Sequence, residues 1–136
     1  MIFADSSGFI AAFDARDARH ARAAPAWRRF AEEGVFLLTT QLVLAETVTH
    51  LRRRAGWRPS QRVGEALLES RVVEIVGLSD EQLAAAWREF VRNPDPKLSL
   101  CDAASFVVMR ERGLTAAFTF DHDFAGAGFD LVPGDG

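Results

Sequence analysis

The chain has 136 residues, 49% of them hydrophobic and 26% charged, with a formal net charge of −3. This suits one globular domain, 1–136, with a real core. No apolar run can span a bilayer, no basic-then-apolar leader is visible, and the single cysteine, Cys101, excludes an internal disulfide and suits a reducing cytoplasm.

In chain order, Ile2-Phe3-Ala4 reads as a short buried strand, and Asp5-Ser6-Ser7-Gly8 as a turn that caps a helix carrying Phe9, Ile10 and Phe13. Arg19 to Glu33 has helical spacing and stops at Gly34, with Pro25 either starting the helix proper or kinking it. Val35 to Thr39 is a second strand. Gln41 to Ala55 is a helix with Leu44, Val48 and Leu51 on one stripe, stopped by Gly56. A further helix runs from Pro59 to about Ser70, then a strand from Val72 to Val76.

Ser79-Asp80-Glu81-Gln82 is a capping-box start for a helix, and Asn93-Pro94-Asp95-Pro96 breaks the chain. Leu100 to Arg112 is the next helix, ended by Gly113, and Ala116–Phe120 and Phe129–Val132 complete a set of about five strands. Strands alternating with helices predict an α/β fold with a parallel sheet covered on both faces.

In such sheets functional residues gather beyond the carboxyl ends of the strands. Asp5 and Asp121 both stand there. Asp102 opens a helix and Glu46 lies within one, so four acids could share a site. Like charges so placed repel, and divalent cations are the natural reason to gather them.

Each acid also has a plainer role. Asp5 could cap a helix, although Ser6 or Ser7 could do so equally. Glu46 could pair with His50 one turn on, but its nearness to the apolar face calls for a partner such as a metal. Asp102 sits in the capping pattern Ser99-Leu100-Cys101-Asp102, which does not prevent it from also facing the crevice. In Thr119-Phe120-Asp121-His122-Asp123-Phe124, two acids and a hydroxyl stand just past a strand, in what is otherwise an Asx-type turn. One acid should face the pocket and the other solvent or the next helix.

The three histidines lack zinc-type spacing, and Cys101 reads as a small apolar filler. No glycine-rich phosphate loop is present. From Arg16 to Arg62 the local charge balance is +6 against −9 for the rest. A basic segment beside an acidic pocket suits a polyanion, and equally a set of solvated helix faces.

Ile2-Phe3-Ala4-Asp5-Ser6-Ser7, Leu44-Ala45-Glu46, Leu98-Ser99-Leu100-Cys101-Asp102-Ala103-Ala104-Ser105 and Thr119 to Phe124 resemble the four signature blocks of PIN-domain ribonucleases. They are most similar to the VapC-type toxins of toxin–antitoxin pairs, over essentially the whole chain. The resemblance implies a three-layer α/β/α sandwich around a mostly parallel five-stranded sheet. It implies Mg²⁺- or Mn²⁺-dependent RNA cleavage leaving a 5′-phosphate and a 3′-hydroxyl.

It also implies Asp5, Glu46, Asp102 and Asp121 as metal-site acids, with Asp123 as alternate for the fourth, and Thr119 and Ser6 in support. The partners implied are RNA, a cognate antitoxin covering the acidic pocket and a second copy of the chain, all in the cytoplasm. Arg16, Arg19, Arg22, Arg52, Arg53 and Arg54 are candidates for a phosphate-gripping rim.

Four alternatives are weighed. A haloacid-dehalogenase-like phosphatase needs a second Asp two residues after the first, where this chain has Ser7. A receiver-like signalling domain needs a late pocket lysine, and the only lysine, Lys97, lies in the broken stretch. A PIN nuclease of RNA processing, or a non-catalytic partner-binding module, would keep the fold and change the task.

Overall fold

Five short strands lie side by side in the order β3-β2-β1-β4-β5, every neighbouring pair parallel. They are β1 (Ile2–Ala4), β2 (Leu37–Thr40), β3 (Val73–Val76), β4 (Ala116–Phe118) and β5 (Asp130–Val132). The helices are α1 (Ser6–Phe13), α2 (His20–Glu33), α3 (Gln41–Ala55), α4 (Trp57–Glu69), α5 (Asp80–Arg92), α6 (Leu100–Glu111) and α7 (His122–Gly126). This computed structural model describes residues 1–134.

The topology follows from crossover handedness. The chain steps outward from β1 to β2 and β3, then returns past β1 to β4 and β5. Right-handed crossovers in opposite directions place their helices on opposite faces. Accordingly α1 packs on α2 and α3, and α3 on α4, while α5 packs on α6 and α6 on α7. The result is the expected three-layer α/β/α sandwich. Its strand order reverses between β1 and β4, and a crevice opens at their carboxyl ends.

Register and side-chain size divide the core. Phe3 lies beside Ala117, and Ala4 beside Phe118, so each face receives one large and one small residue from the central pair. Phe118 meets Trp27 and Phe30 of α2, with centroids at 6.0 and 5.2 Å. Phe3 meets Phe124 of α7, which in turn packs edge-on to Phe106 of α6. These alternating faces are the period-two rule of a strand buried on both sides.

Local signals set most ends. Ser79 with Gln82, and Ser99 with Asp102, form reciprocal capping boxes, and Thr40 accepts from the Val43 backbone N–H. Gly34 ends α2 at φ 65°, a left-handed conformation that a side chain would disfavour.

Three expectations need correction. Pro25 lies inside α2, which starts five residues earlier at His20, so it does not start that helix. α4 starts at Trp57, leaving Pro59 in the first turn, where a missing N–H costs nothing. β4 ends at Phe118 rather than Phe120, because the next two residues turn to serve the crevice. Among the described residues no helix is long and apolar enough to cross a membrane.

Candidate active site

Asp5 follows β1 directly, Asp102 stands in the first turn of α6, and Asp121 precedes α7. One carboxylate oxygen from each lies within 4.8 Å of the others. Residues far apart in sequence meet because β1 and β4 are neighbours and α6 feeds into β4.

The fold ties one oxygen of each acid. Asp5 Oδ2 accepts from Thr119 Oγ1 at 3.0 Å and has Ser7 Oγ at 3.2 Å. Thr119 Oγ1 in turn accepts from the Asp121 backbone N–H at 3.0 Å, and Ser7 Oγ accepts from the Phe120 backbone N–H at 2.9 Å. Asp102 Oδ2 accepts from the Ser99 backbone N–H, and Asp121 Oδ1 from the Asp123 backbone N–H. Asp5 Oδ1, by contrast, is buried with no hydrogen-bond partner.

An ionised carboxylate oxygen left bare in a protein interior is costly. The protonation behaviour reflects it. Burial, reinforced by the neighbouring charges of Glu46 and Asp121, pushes Asp5 from 3.8 up to about 6. Burial and the charges of Asp5 and Asp121 push Asp102 up to about 7. An all-oxygen donor set with an unsatisfied buried oxygen fits a hard divalent cation such as Mg²⁺ or Mn²⁺, and Asp5, Asp102 and Asp121 are the residues that would hold it.

Glu46 departs from expectation. It is exposed on α3 and not part of the close trio, so burial does not force a partner on it. Ser6 Oγ donates to its Oε2 at 3.2 Å, which holds it at the rim. Asp121 joins the trio and caps α7 as well, two tasks the sequence divided between two acids. Asp123 lies outside the close trio, and burial together with the neighbouring Asp95 carboxyl group holds its own carboxyl above the ordinary range. Cys101 packs beside the core, and burial together with Glu46 pushes its thiol far up, as suits a filler rather than a nucleophile.

Two cavities flank the trio. One, of about 300 Å³, is walled by Ser6, Ser7, Asp17, Arg19, Glu46, His50 and Arg54. The other, of about 400 Å³, is walled by Ser7, Arg19, Lys97, Phe120, Asp121, His122 and Asp123. Lys97 therefore reaches the site despite its broken local sequence.

The arginines scatter. Arg16 donates to the Arg54 carbonyl oxygen and pairs with Asp14. Arg22 donates to the Gly134 carbonyl oxygen at 2.7 Å. Arg52 borders an apolar groove with Trp57 and Leu68, and Arg53 is exposed in the last turn of α3. Only Arg19 and Arg54 of the six border these two cavities.

Ser7, His50 and Phe120 were missed as site residues. Glu46, His50 and Arg54 follow one another at four-residue intervals, so the helical stripe was readable. Ser7 carried no such signal, because its role depends on where β4 ends.

The PIN domain profile matches residues 2–130. The chain belongs to the PIN-domain family. It is 39% identical over 129 residues to the 23S rRNA-specific endonuclease VapC20 from two strains of Mycobacterium tuberculosis, covering 95% of each chain. The crystal structure of M. tuberculosis VapC20, described as a sarcin-ricin loop cleaving toxin, superposes with a TM-score of 0.86 at 37% identity. That match covers 95% of this chain and 96% of the solved one. Within the PIN family this chain is of the VapC toxin type, and its fold is that of these endonucleases.

Proposed function

We propose that this PIN domain is an Mg²⁺- or Mn²⁺-dependent endoribonuclease and the toxin of a toxin–antitoxin pair, with the sarcin–ricin loop of 23S rRNA as its substrate. The observation that carries the metal reading is the buried, unpartnered Asp5 Oδ1 inside a cluster of three carboxylates. Likeness to VapC20 along nearly the whole chain supports the substrate and the antitoxin partner.

When bound, the cation would activate water for attack at phosphorus and neutralise charge building on the phosphoryl oxygens. The chain's own residues do the rest. Thr119 and Ser7 hold the Asp5 carboxylate in one rotamer, and the capping box does the same for Asp102. Glu46, steadied by Ser6, stands at the rim, where it can orient or accept a proton from water approaching the substrate. The flanking cavities give an extruded strand room on either side.

Homodimerisation belongs to the same proposal. Leu83, Trp87 and Val91 form an exposed apolar stripe on α5, and Trp57 and Leu68 expose more apolar area on α4. Such surfaces support protein partners. A cytoplasmic location goes with an RNA substrate.

The test is to incubate purified chain with ribosomes and Mg²⁺ and map 23S rRNA ends by primer extension. Cleavage in the sarcin–ricin loop that EDTA abolishes and Asp5→Asn lacks is expected. Cleavage that survives both treatments would refute the metal reading, and cuts elsewhere would refute the substrate.

A further inference from the structure

A phosphate reaching this site must approach three clustered carboxylates and the nearby Glu46. A divalent cation offsets part of that charge, and the strand on either side still needs a fixed positive group close by. Most cationic side chains near the crevice are engaged elsewhere. Arg16 and Arg22 each donate to a backbone carbonyl, and Lys97 acts on Asp95 and Asp123. Arg54 borders one cavity, where its charge also acts on Asp14.

Arg19 differs in two respects, and shares a third with Arg22. It borders both cavities, which share it with Ser7. Its guanidinium lies over the Phe120 ring, 5.2 Å from the centroid, with that of Arg22 at 5.3 Å, so both charges sit against the residue immediately before Asp121. Its one ion pair among the described residues is loose, Nε to Asp17 Oδ1 at 3.7 Å, which leaves its terminal donors for a ligand. Phe120 is itself anchored, its backbone N–H donating to the Ser7 hydroxyl that touches Asp5. A short chain of contacts thus runs from the guanidinium to the acid centre.

We infer that Arg19 grips the RNA phosphate next to the scissile one and joins the two cavities into a single strand track across the acids. This rests on the nuclease reading above. The planar guanidinium fork can bind phosphate oxygens in pairs, which a lysine at that position cannot do.

The test compares the parent chain with Arg19→Ala, Arg19→Lys and Arg71→Ala, the last at the opposite end of the sheet before β3. A short labelled RNA hairpin is bound in an Asp5→Asn background and cleaved with Mg²⁺ in the otherwise unaltered chain. Arg19→Ala should weaken binding about tenfold and flatten the log affinity against log salt slope by about one. It should lower kcat/KM by roughly 10- to 100-fold while Mg²⁺ uptake by calorimetry is unchanged.

Arg19→Lys should keep the salt slope and recover only part of the rate, and it retains a folded-state control if the alanine variant is unstable. Arg71→Ala should stay within about twofold of the parent. A parent chain that cleaves with Arg19→Ala equally fast overturns this assignment alone. Equal losses in Arg19→Ala and Arg71→Ala also overturn it, since the attraction would then be diffuse. A parent that binds with the Arg19-dependent slope yet never cleaves upholds the grip and sinks the nuclease reading instead.

Discussion

Thr119 Oγ1 stands 3.0 Å from Asp5 Oδ2 and donates its only proton there, while accepting from the Asp121 backbone N–H at the same distance. One hydroxyl therefore positions two of the three clustered acids. Thr119→Val keeps the shape and removes both bonds, leaving the half-buried Asp121 N–H without its acceptor and Asp5 Oδ2 with Ser7 as its one remaining donor. The expected cost is about 1–3 kcal/mol in urea unfolding. Mg²⁺ affinity should fall roughly 10- to 100-fold, as for lost groups that orient metal ligands. Thr119→Ser should restore both, and equal behaviour of the Val and Ser variants would contradict this role.

Asp5 and Glu46 should not be equivalent. Asp5 is buried inside the trio and Glu46 is exposed beside it. Asp5→Asn should reduce cleavage by more than about 100-fold and yet raise the melting temperature of the metal-free protein near neutral pH, because it removes an unpaired buried charge. Glu46→Gln should cost at least about tenfold less in rate and leave the melting temperature nearly unchanged. A calorimetric melt with both variants decides the matter, and a stabilised Glu46→Gln chain would count against the assigned geometry.

The raised acids make a pH prediction with a definite sign. Asp5 titrates at about 6 and Asp102 at about 7 in the folded chain, against 3.8 as the ordinary value. Between those values the folded, metal-free protein binds more protons than the unfolded chain does. Their contribution to stability is therefore present below pH 3.8 and is lost as pH rises through 6 and 7. In EDTA, the stability advantage of Asp5→Asn over the parent should grow across that window. Mg²⁺ should bind more tightly at pH 8 than at pH 6 and release protons on binding. A pH-independent Mg²⁺ affinity would speak against these acids as its ligands.

Gly8 marks where α1 rests on the end of β4. A Cβ there would lie 2.4 Å from the Phe118 carbonyl oxygen and 2.8 Å from its ring. Neither can yield, because the carbonyl accepts from the Asp5 backbone N–H and the ring is fully buried. Gly8→Ala should therefore destabilise by roughly 1–3 kcal/mol or more, read as a lower urea midpoint at an unchanged slope. Cleavage should fall further than stability alone explains, since α1 carries Ser6 and Ser7. A midpoint equal to the parent's would show that the helix can shift.

Much was legible before the fold was known, and for identifiable reasons. Period-two and period-3.6 patterns with Gly34, Gly56 and the Ser79 and Ser99 caps located the strands and helices, because these are local steric and hydrogen-bonding effects. Asp5, Asp102 and Asp121 were legible as strand-end or helix-start acids for the same reason. What escaped depended on neighbours distant in sequence. Glu46 looked half-buried from its helical stripe, but where the crevice ends on α3 is set by how that helix packs against α1.

Sequence alone determined the order of elements, the α/β class and the short list of acids, since backbone preference and hydrophobic period act within a few residues. Tertiary structure decided the rest. The reversal of strand order at β1 and β4 made the crevice, and the early end of β4 brought Thr119 and Asp121 to Asp5 and left Asp123 outside the close trio. Those outcomes turn on sheet register and crossover direction, which bring together atoms more than a hundred residues apart and which no local pattern encodes.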